Sequence, residues 1–323
     1  MANGGWRTDL SSGFGARAPK PGSAFFRRDG NPAVSQFLQL IFAGVTVGAT
    51  YALSALGFSI IYNASGVINF AQGEFIMLGG MIAASLAATG VPLPLAVVGA
   101  VAATALIGFI VAKLAIVPAR EADATALVII TIGVSMVLRG GVETTLGKGG
   151  RALPPFSGDK PIAFAGAAVL PQSLWALATT LVVVAALALF FARTRLGKGI
   201  LATAHNRLAA ELVGIDTRRV LSMSFVLSAG LGALGGVLIA PIANASYDAG
   251  VMLGLKGFVA AAIGGLGSGV GAVVGGLALG LMESMTAGYF SSAYKDAVAI
   301  VVVLVILLVR PSGLFGAARG GGT

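Results

Sequence analysis

Few residues in this chain could do chemistry, and most of those stand where chemistry is costly. Two carboxylates, Glu74 in "NFAQGEFIMLGG" and Glu283 in "GLMESM", sit inside long apolar runs. An ionisable group at the centre of a bilayer helix costs about 2.5–3.5 kcal/mol, so each demands a partner or a water-filled cavity. Asn69 and Gln72 are close enough to Glu74 to share that cavity and to bond freed backbone groups. The stretch reads either as the lining of a translocation pathway or as a carboxylate that caps and pins a helix break. Glu283 carries the same two readings, nearer a membrane interface. Arg139 and Glu143, four apart at the outer end of an apolar run, read as a local ion pair.

Other chemistry lacks its parts. His205 is the only histidine and there is no cysteine, so no metal site or catalytic triad can be assembled. "GGLGSGVG" (264–271) has the glycines of a phosphate loop but no following Lys, and it lies in an apolar segment. Its Gly265, Gly267 and Ser268 read as a helix break on the pathway. No catalytic residue is expected, and the chain does not read as an enzyme.

The elements that must position these residues follow from composition. Of 323 residues, 57% are hydrophobic and 10% charged, against about 25% charged in soluble domains. Runs such as "SLWALATTLVVVAALALFF" (173–191) suit a helical bilayer crossing of roughly 17–25 residues. They do not alternate apolar with polar residues as barrel strands do. The expected fold class is therefore all-α, a polytopic helical membrane protein of about eight transmembrane segments with broken or re-entrant Gly-rich elements. The segments read as 35–61, 67–88, 93–116, 125–146, 172–192, 220–242, 254–286 with an internal break, and 296–310. Residues 1–33 read as a disordered basic extension, 34–316 as the membrane domain and 317–323 as a tail.

Forty-eight glycines include the pairs Gly44/Gly48, Gly232/Gly236, Gly271/Gly275 and Gly276/Gly280, a spacing that lets membrane helices approach backbone to backbone. The net charge of +9 resides in loops between segments, where orientation bias accounts for it, and no nucleic-acid partner is expected. The densest basic cluster near span ends, in 193–219, places that loop in the cytoplasm, with 147–171 and 244–253 outside. A break near "GVINFAQGE" (66–74) would then allow a cytoplasmic N-terminus. This break and "AAIGGLGSGVGAVVGG" (261–276) look alike in kind, as an internal repeat or as Gly-rich composition alone would make them.

The 193–219 loop holds the other notable stretch, "RTRLGKGILATAHNRLAAELVGID". Leu201, Ala204, Leu208 and Leu212 recur at helical spacing, with Thr203, Asn206, Arg207 and Glu211 opposite and Gly214 at a C-cap position. This predicts one amphipathic cytoplasmic helix over 200–214, lying in the lipid interface or seated in a partner's groove.

This stretch and its continuation to "VLIAP" resemble the coupling region of integral-membrane permeases of the branched-chain amino acid ABC importer family, LivH type. "GVTVGATYALSALGFSIIYNASGVINFAQGEFIMLGG" and "LKGFVAAAIGGLGSGVGAVVGGLALGLMES" match the same family in order, so the likeness covers 36–316. The resemblance implies a permease subunit in the inner membrane that forms the translocation path for branched-chain amino acids. Related permeases carry urea, short amides or other amino acids. It implies an ATPase contact through Arg195, Gly197, Lys198, His205, Asn206, Arg207, Ala209, Ala210, Glu211, Gly214 and Ile215. It further implies two ATPase subunits that hold ATP and Mg2+, a second homologous permease and an extracytoplasmic solute-binding protein on the outer loops, with no cofactor on this chain. An ion-coupled secondary transporter using Glu74 is the rival reading.

Overall fold

The computed structural model describes residues 32–164 and 167–316, so residues 1–31 of the expected extension and the 317–323 tail lie outside the described residues. The helices are α1 Pro32–Ser65, α2 Gln72–Ala88, α3 Leu93–Val111 with a π turn Ala112–Ile116, and α4 Ala124–Leu146. A hairpin of β1 Ile162–Phe164 and β2 Ala167–Val169 precedes α5 Pro171–Arg193. Two short helices follow, α6 Arg195–His205 and α7 Arg207–Leu212. Then come α8 Thr217–Ala243, α9 Ala249–Gly264, α10 Gly269–Tyr289 and α11 Lys295–Val309, the last preceded by a 3-10 turn. Polar residues at the segment boundaries are N-caps: Asp123 accepts from the Ala126 N–H, Asp216 from Arg218 and Arg219, and Ser268 from Gly271. Each satisfies donors that the first helical turn leaves unpaired.

Among the described residues seven helices are long and apolar enough to cross a membrane, while α2 and α9 are apolar but shorter. The eight expected segments are all present. The seventh, 254–286, divides at residues 265–268 into α9 and α10.

Packing fixes the direction of each helix. Gly57 of α1 meets Ser228 of α8 while Gly235 meets Thr50, so these two run antiparallel. α2 runs with α8, Gly232 meeting Phe75 and Gly236 meeting Gly80, and begins level with Gly57, eight residues before the end of α1. At 1.5 Å per residue that is about 12 Å inside the bundle. α9 starts at the same depth, Gly250 lying against Gly73, and runs the other way to the turn where the Asn63 amide donates to the Gly267 carbonyl. Two shorter helices, of 17 and 16 residues, thus begin side by side inside the bundle and run to opposite faces.

The remaining contacts repeat this pattern. α3 packs antiparallel on α8 as α10 does on α1, and α4 runs along α2 as α11 runs along α9. Helices α1–α4 and α8–α11 are therefore one arrangement used twice with inverted direction, and α5 joins them. This resolves the choice left open by composition in favour of a repeat.

Two expectations do not hold together: α1 starts on the face opposite the 193–219 loop, so that loop and the start of α1 are not both on the cytoplasmic side. The 66–71 break turns the chain back deep in the bundle, but α2 then continues outward, so the pair acts as a hairpin and parity is unchanged.

All four glycine pairs lie at helix crossings. A Cβ on Gly44 would stand 2.9 Å from the Leu281 Cα, one on Gly280 would overlap the Gly48 amide, and one on Gly236 would overlap the Ile76 carbonyl. The obstacles are backbone and cannot rotate away. Gly236→Ala should therefore destabilise the protein by about 1–3 kcal/mol through overpacking. Gly133→Ala, on an open face of α4, should be neutral or stabilise by up to about 1 kcal/mol. Melting temperatures of the two variants in one detergent check both.

Candidate functional site

The first site is the junction of α2 and α9 inside the bundle. The extended 66–71 segment leads into α2, and its backbone donors go to side chains: Phe70 N–H to the Thr131 hydroxyl and Ala71 N–H to Asn69 Oδ1. Gln72 donates from Nε2 to the Ser228 carbonyl and accepts from the Ser228 hydroxyl, which binds α2 to α8. Glu74, 1% exposed, accepts from the Ser135 hydroxyl at 2.8 Å and pairs with Arg139 at 3.5 Å. Asn69, Gln72 and Glu74 thus turn to different partners, respectively the lead-in of α2, helix α8 and helix α4. The structure corrects the reading of Arg139: its partner is Glu74 on α2, while Glu143 pairs with Lys148 at 2.8 Å. The long guanidinium stem reaches inward to neutralise the buried carboxylate, whose uncompensated cost exceeds that of leaving Glu143 to a solvent-exposed lysine.

Glu283 lies six residues before the end of α10 and is buried, with Oε2 accepting from the Tyr51 hydroxyl at 2.8 Å and Oε1 3.0 Å from Lys256 Nζ. Lys256 also reaches Asp296 on α11 at 2.7 Å. Sequence reasoning missed Lys256 and Asp296. A lone lysine in "VMLGLKGFVAAAIGG" carries the same desolvation signal as Glu74 and was readable on that ground. The two halves are pinned alike: Glu74 on α2 to Arg139 on α4, and Lys256 on α9 to Asp296 on α11, with the charges exchanged.

Gly265, Gly267 and Ser268 lie at the end of the bundle on which α1 finishes, the length of α9 away from Glu74. Positive φ angles at Gly265 (100°) and Gly267 (89°) make the turn that only glycine adopts freely. Residues 312–316 cover it, with Leu314 and Phe315 N–H groups donating to the Ile263 and Gly264 carbonyls. Beside Asn69 a small hollow is lined by Ser65, Ile116, Leu127 and Thr131, and a second, next to it, by Arg120, Arg207 and Thr217.

The second site is the basic 193–219 loop. The single expected helix over 200–214 is two helices, broken at Asn206, whose backbone is extended (φ −157°) and whose Oδ1 accepts from the Ala209 N–H. Asparagine competes with helical bonding and prefers the cap. The apolar residues of the expected stripe face away from the bundle: Leu201, Leu208 and Leu212 are 40%, 74% and 88% exposed, and Ala204 is half-buried. Thr203, assigned to the polar face, is buried with its hydroxyl bonded to the Gly199 carbonyl, and Ala210 is buried too.

Arg195, Lys198, His205, Asn206, Arg207, Ala209, Glu211 and Gly214 are exposed, Ile215 partly so, and Gly197 is packed on the Phe190 carbonyl. Gly214 has the expected left-handed φ of 85°. Glu211 accepts from the Thr217 hydroxyl at 2.6 Å and from Arg207, which holds its carboxyl below the ordinary range. The carboxylate form is therefore present at neutral pH, and the brace it makes to α8 is lost only as pH falls through that lowered value. Arg207 also donates to the Arg120 carbonyl at 3.4 Å, tying α7 to the 117–123 loop.

On the opposite face Arg151 and Ala245 form a bridge that joins the two outer loops, and Trp175 donates to the Ser157 hydroxyl.

A bundle of apolar helices, seven of them long enough to span a membrane, with a separate helical projection on one face defines a polytopic membrane protein. Residues 40–307 match the model of the branched-chain amino acid transport system / permease component family, and the chain belongs to that family. It is 35% identical to the high-affinity branched-chain amino acid transport system permease protein LivH of Escherichia coli K12, over 87% of this chain and 96% of that one. Identity is 32% to BraD of Pseudomonas aeruginosa, a permease protein of the same description, over 88% and 97% of the two chains. It is 27% to a probable branched-chain amino acid transport permease protein LivH of Methanocaldococcus jannaschii, over 82% and 88%. The chain is accordingly a multi-pass inner-membrane permease subunit of an ABC importer, in a family of transporters and not of enzymes.

The Lys256 cluster is testable by itself. Lys256→Met leaves Glu283 buried without its cation and should cost about 3–5 kcal/mol. Adding Glu283→Gln should return part of that loss, because the stranded charge is removed. Thermal unfolding of both variants measures it, and equal melting temperatures for Lys256→Met and the native chain would show that the cluster carries no stability.

Proposed function

We propose that this chain lines the path by which branched-chain amino acids enter the cell, and that a pair of separate ATPase subunits, which hold ATP and Mg2+, drives it through α6 and α7. The observation that carries the coupling is an apolar ridge outside the bundle: Leu196, Leu201, Leu208, Leu212 and Val213 are all exposed on the face of the basic loop. Five large apolar side chains on short capped helices in the cytosol call for a protein groove. Arg195, Lys198, His205, Arg207 and Ala209 flank the ridge and would set register in that groove, while Ala210 supports it from beneath.

The ridge is braced on three sides, by Gly197 against the end of α5, by Glu211 to Thr217 at the start of α8, and by Arg207 to the 117–123 loop. A groove that moves on ATP binding would move these elements with it, and α8 carries the packing of α2. The permease would act beside a second homologous permease, and an extracytoplasmic solute-binding protein would deliver cargo to the platform made by the bridged outer loops. The cargo assignment rests on the family and on the relatives described as branched-chain amino acid permeases.

Leu208→Asp and Leu212→Asp should leave the permease inserted and folded but lower co-purification of the ATPase and ATP-driven leucine uptake at least ten-fold. Ala210→Arg, by contrast, should lower the yield of folded protein, because that side chain has no room. Native ATPase binding and uptake in both leucine variants would remove the docking assignment.

A further inference from the structure

The spanning helices α3, α5 and α11 all finish on the face that carries the ridge. α5 runs directly into α6, with Gly197 on the Phe190 carbonyl. The π turn that ends α3 leads into the 117–123 loop, which Arg207 of α7 holds. α11 ends where residues 312–316 cover the turn beside Asn63 of α1. Each of the three carries an exposed apolar stripe toward this face and closes it with a cation. On α3 Leu106 and Ile110 are followed at helical spacing by Lys113, and on α5 Val182 and Leu189 by Arg193. On α11 Leu304 and Leu308 precede Arg310, which stands directly after the helix. All three cations are exposed.

Helix length sets their depth. Leu93 to Lys113 is 20 residues (113 minus 93) and Pro171 to Arg193 is 22 (193 minus 171), about 30 and 33 Å. The hydrocarbon core is about 30 Å thick. With the helix starts at one edge of that core, Lys113 and Arg193 stand at the level of the lipid phosphates on the other.

Their charge is unanswered among the described residues. The ion pairs engage Arg120, Arg139, Lys148, Arg207, Arg219 and Lys256 but none of these three. Lys113 Nζ rests 5.5 Å from the centre of the Phe109 ring, a contact that leaves the ammonium charged. The carbonyl ends of the helices favour a cation but supply only a partial charge. α3 packs on α8, α5 on α1, and α11 on α9 and α10. The cations are therefore spread around the bundle, as lipid is, and not gathered for one protein groove.

We propose that Lys113, Arg193 and Arg310 bind the phosphate groups of anionic phospholipids in the leaflet on the ridge side. Acyl chains lie along the apolar stripes, and the negative headgroup meets the cation above them. Because α6 is packed on the end of α5, the lipid at Arg193 also fixes the height of the ridge.

The test uses the full-length chain in phosphatidylcholine vesicles that carry a trace of spin-labelled phosphatidylglycerol or spin-labelled phosphatidylcholine. Electron spin resonance reads how much of each label the protein surface holds. At low salt the native chain should favour phosphatidylglycerol about three-fold. Lys113→Gln/Arg193→Gln/Arg310→Gln should bring the ratio to about one, and Arg193→Gln alone should fall between. The charge-keeping Lys113→Arg/Arg193→Lys/Arg310→Lys should retain the preference, as should Arg195→Gln/Lys198→Gln on the ridge helix. Equal association of the two lipids with the native chain overturns the proposal, and so does a native ratio in Arg193→Gln. A preference that survives the triple glutamine variant overturns it too, and loss of ATPase co-purification in that variant would give the cations to the protein partner. A preference lost on changing Arg195 and Lys198 alone would place the lipid on the projection, against the proposal.

Discussion

Two helices that begin inside the bundle, α2 and α9, impose the constraint on which the rest of this structure depends. The first turn of any helix has backbone donors without intrahelical partners, and inside the bundle water cannot be relied on to take them. The chain solves this locally at α2, where Asn69 and Thr131 accept from the lead-in segment. At α9 the Ala249 N–H turns back to the Ser246 carbonyl. The positive ends of the two helix dipoles then face one region, and Glu74 lies in it as N3 of α2 and against the start of α9. A carboxylate there is stabilised by both helix ends as well as by Arg139.

Close approach follows from the same constraint. Short helices have little surface to bury, and within lipid there is no hydrophobic drive to press helices together. Contact has to come from backbones that meet directly, and glycines stand wherever α2 or α9 crosses a neighbour: Gly73 on Gly250 and Gly254, Gly79 on Ala233, Gly257 on Ser54. Long side chains are reserved for the polar pins to α4 and α11, whose outer faces are otherwise free. Inverting the repeat exchanges the charges of the pins but keeps their place, between a short helix and the fourth helix of its own unit.

Mechanically, the projection made by α6 and α7 is joined to the helices that hold those short helices. α6 is packed on α5 without a spacer, and Glu211 binds the first residue of α8. α8 in turn carries Ser228, which bonds Gln72 at the start of α2. A displacement at the ridge therefore has a continuous route of packed backbone and hydrogen bonds to the junction of α2 and α9, which a flexible linker would not provide.

Composition alone determined that the chain is helical and membrane-spanning, because 10% charge cannot coat a soluble surface. Boundary prolines and caps placed most segments, and the cost of burying Glu74 marked the junction before its neighbours were known. Partners were a different matter. Arg139 and Glu143 are one turn apart in the chain, yet each binds elsewhere, because a buried carboxylate 65 residues away (139 minus 74) competes for the guanidinium and wins on desolvation. Asn206 looked like one polar residue on a helix face, whereas its side chain caps α7 and divides that helix in two. Local pattern sets which residues cannot face lipid; only the tertiary structure decides what each of them faces instead, since that choice is made between groups far apart in sequence.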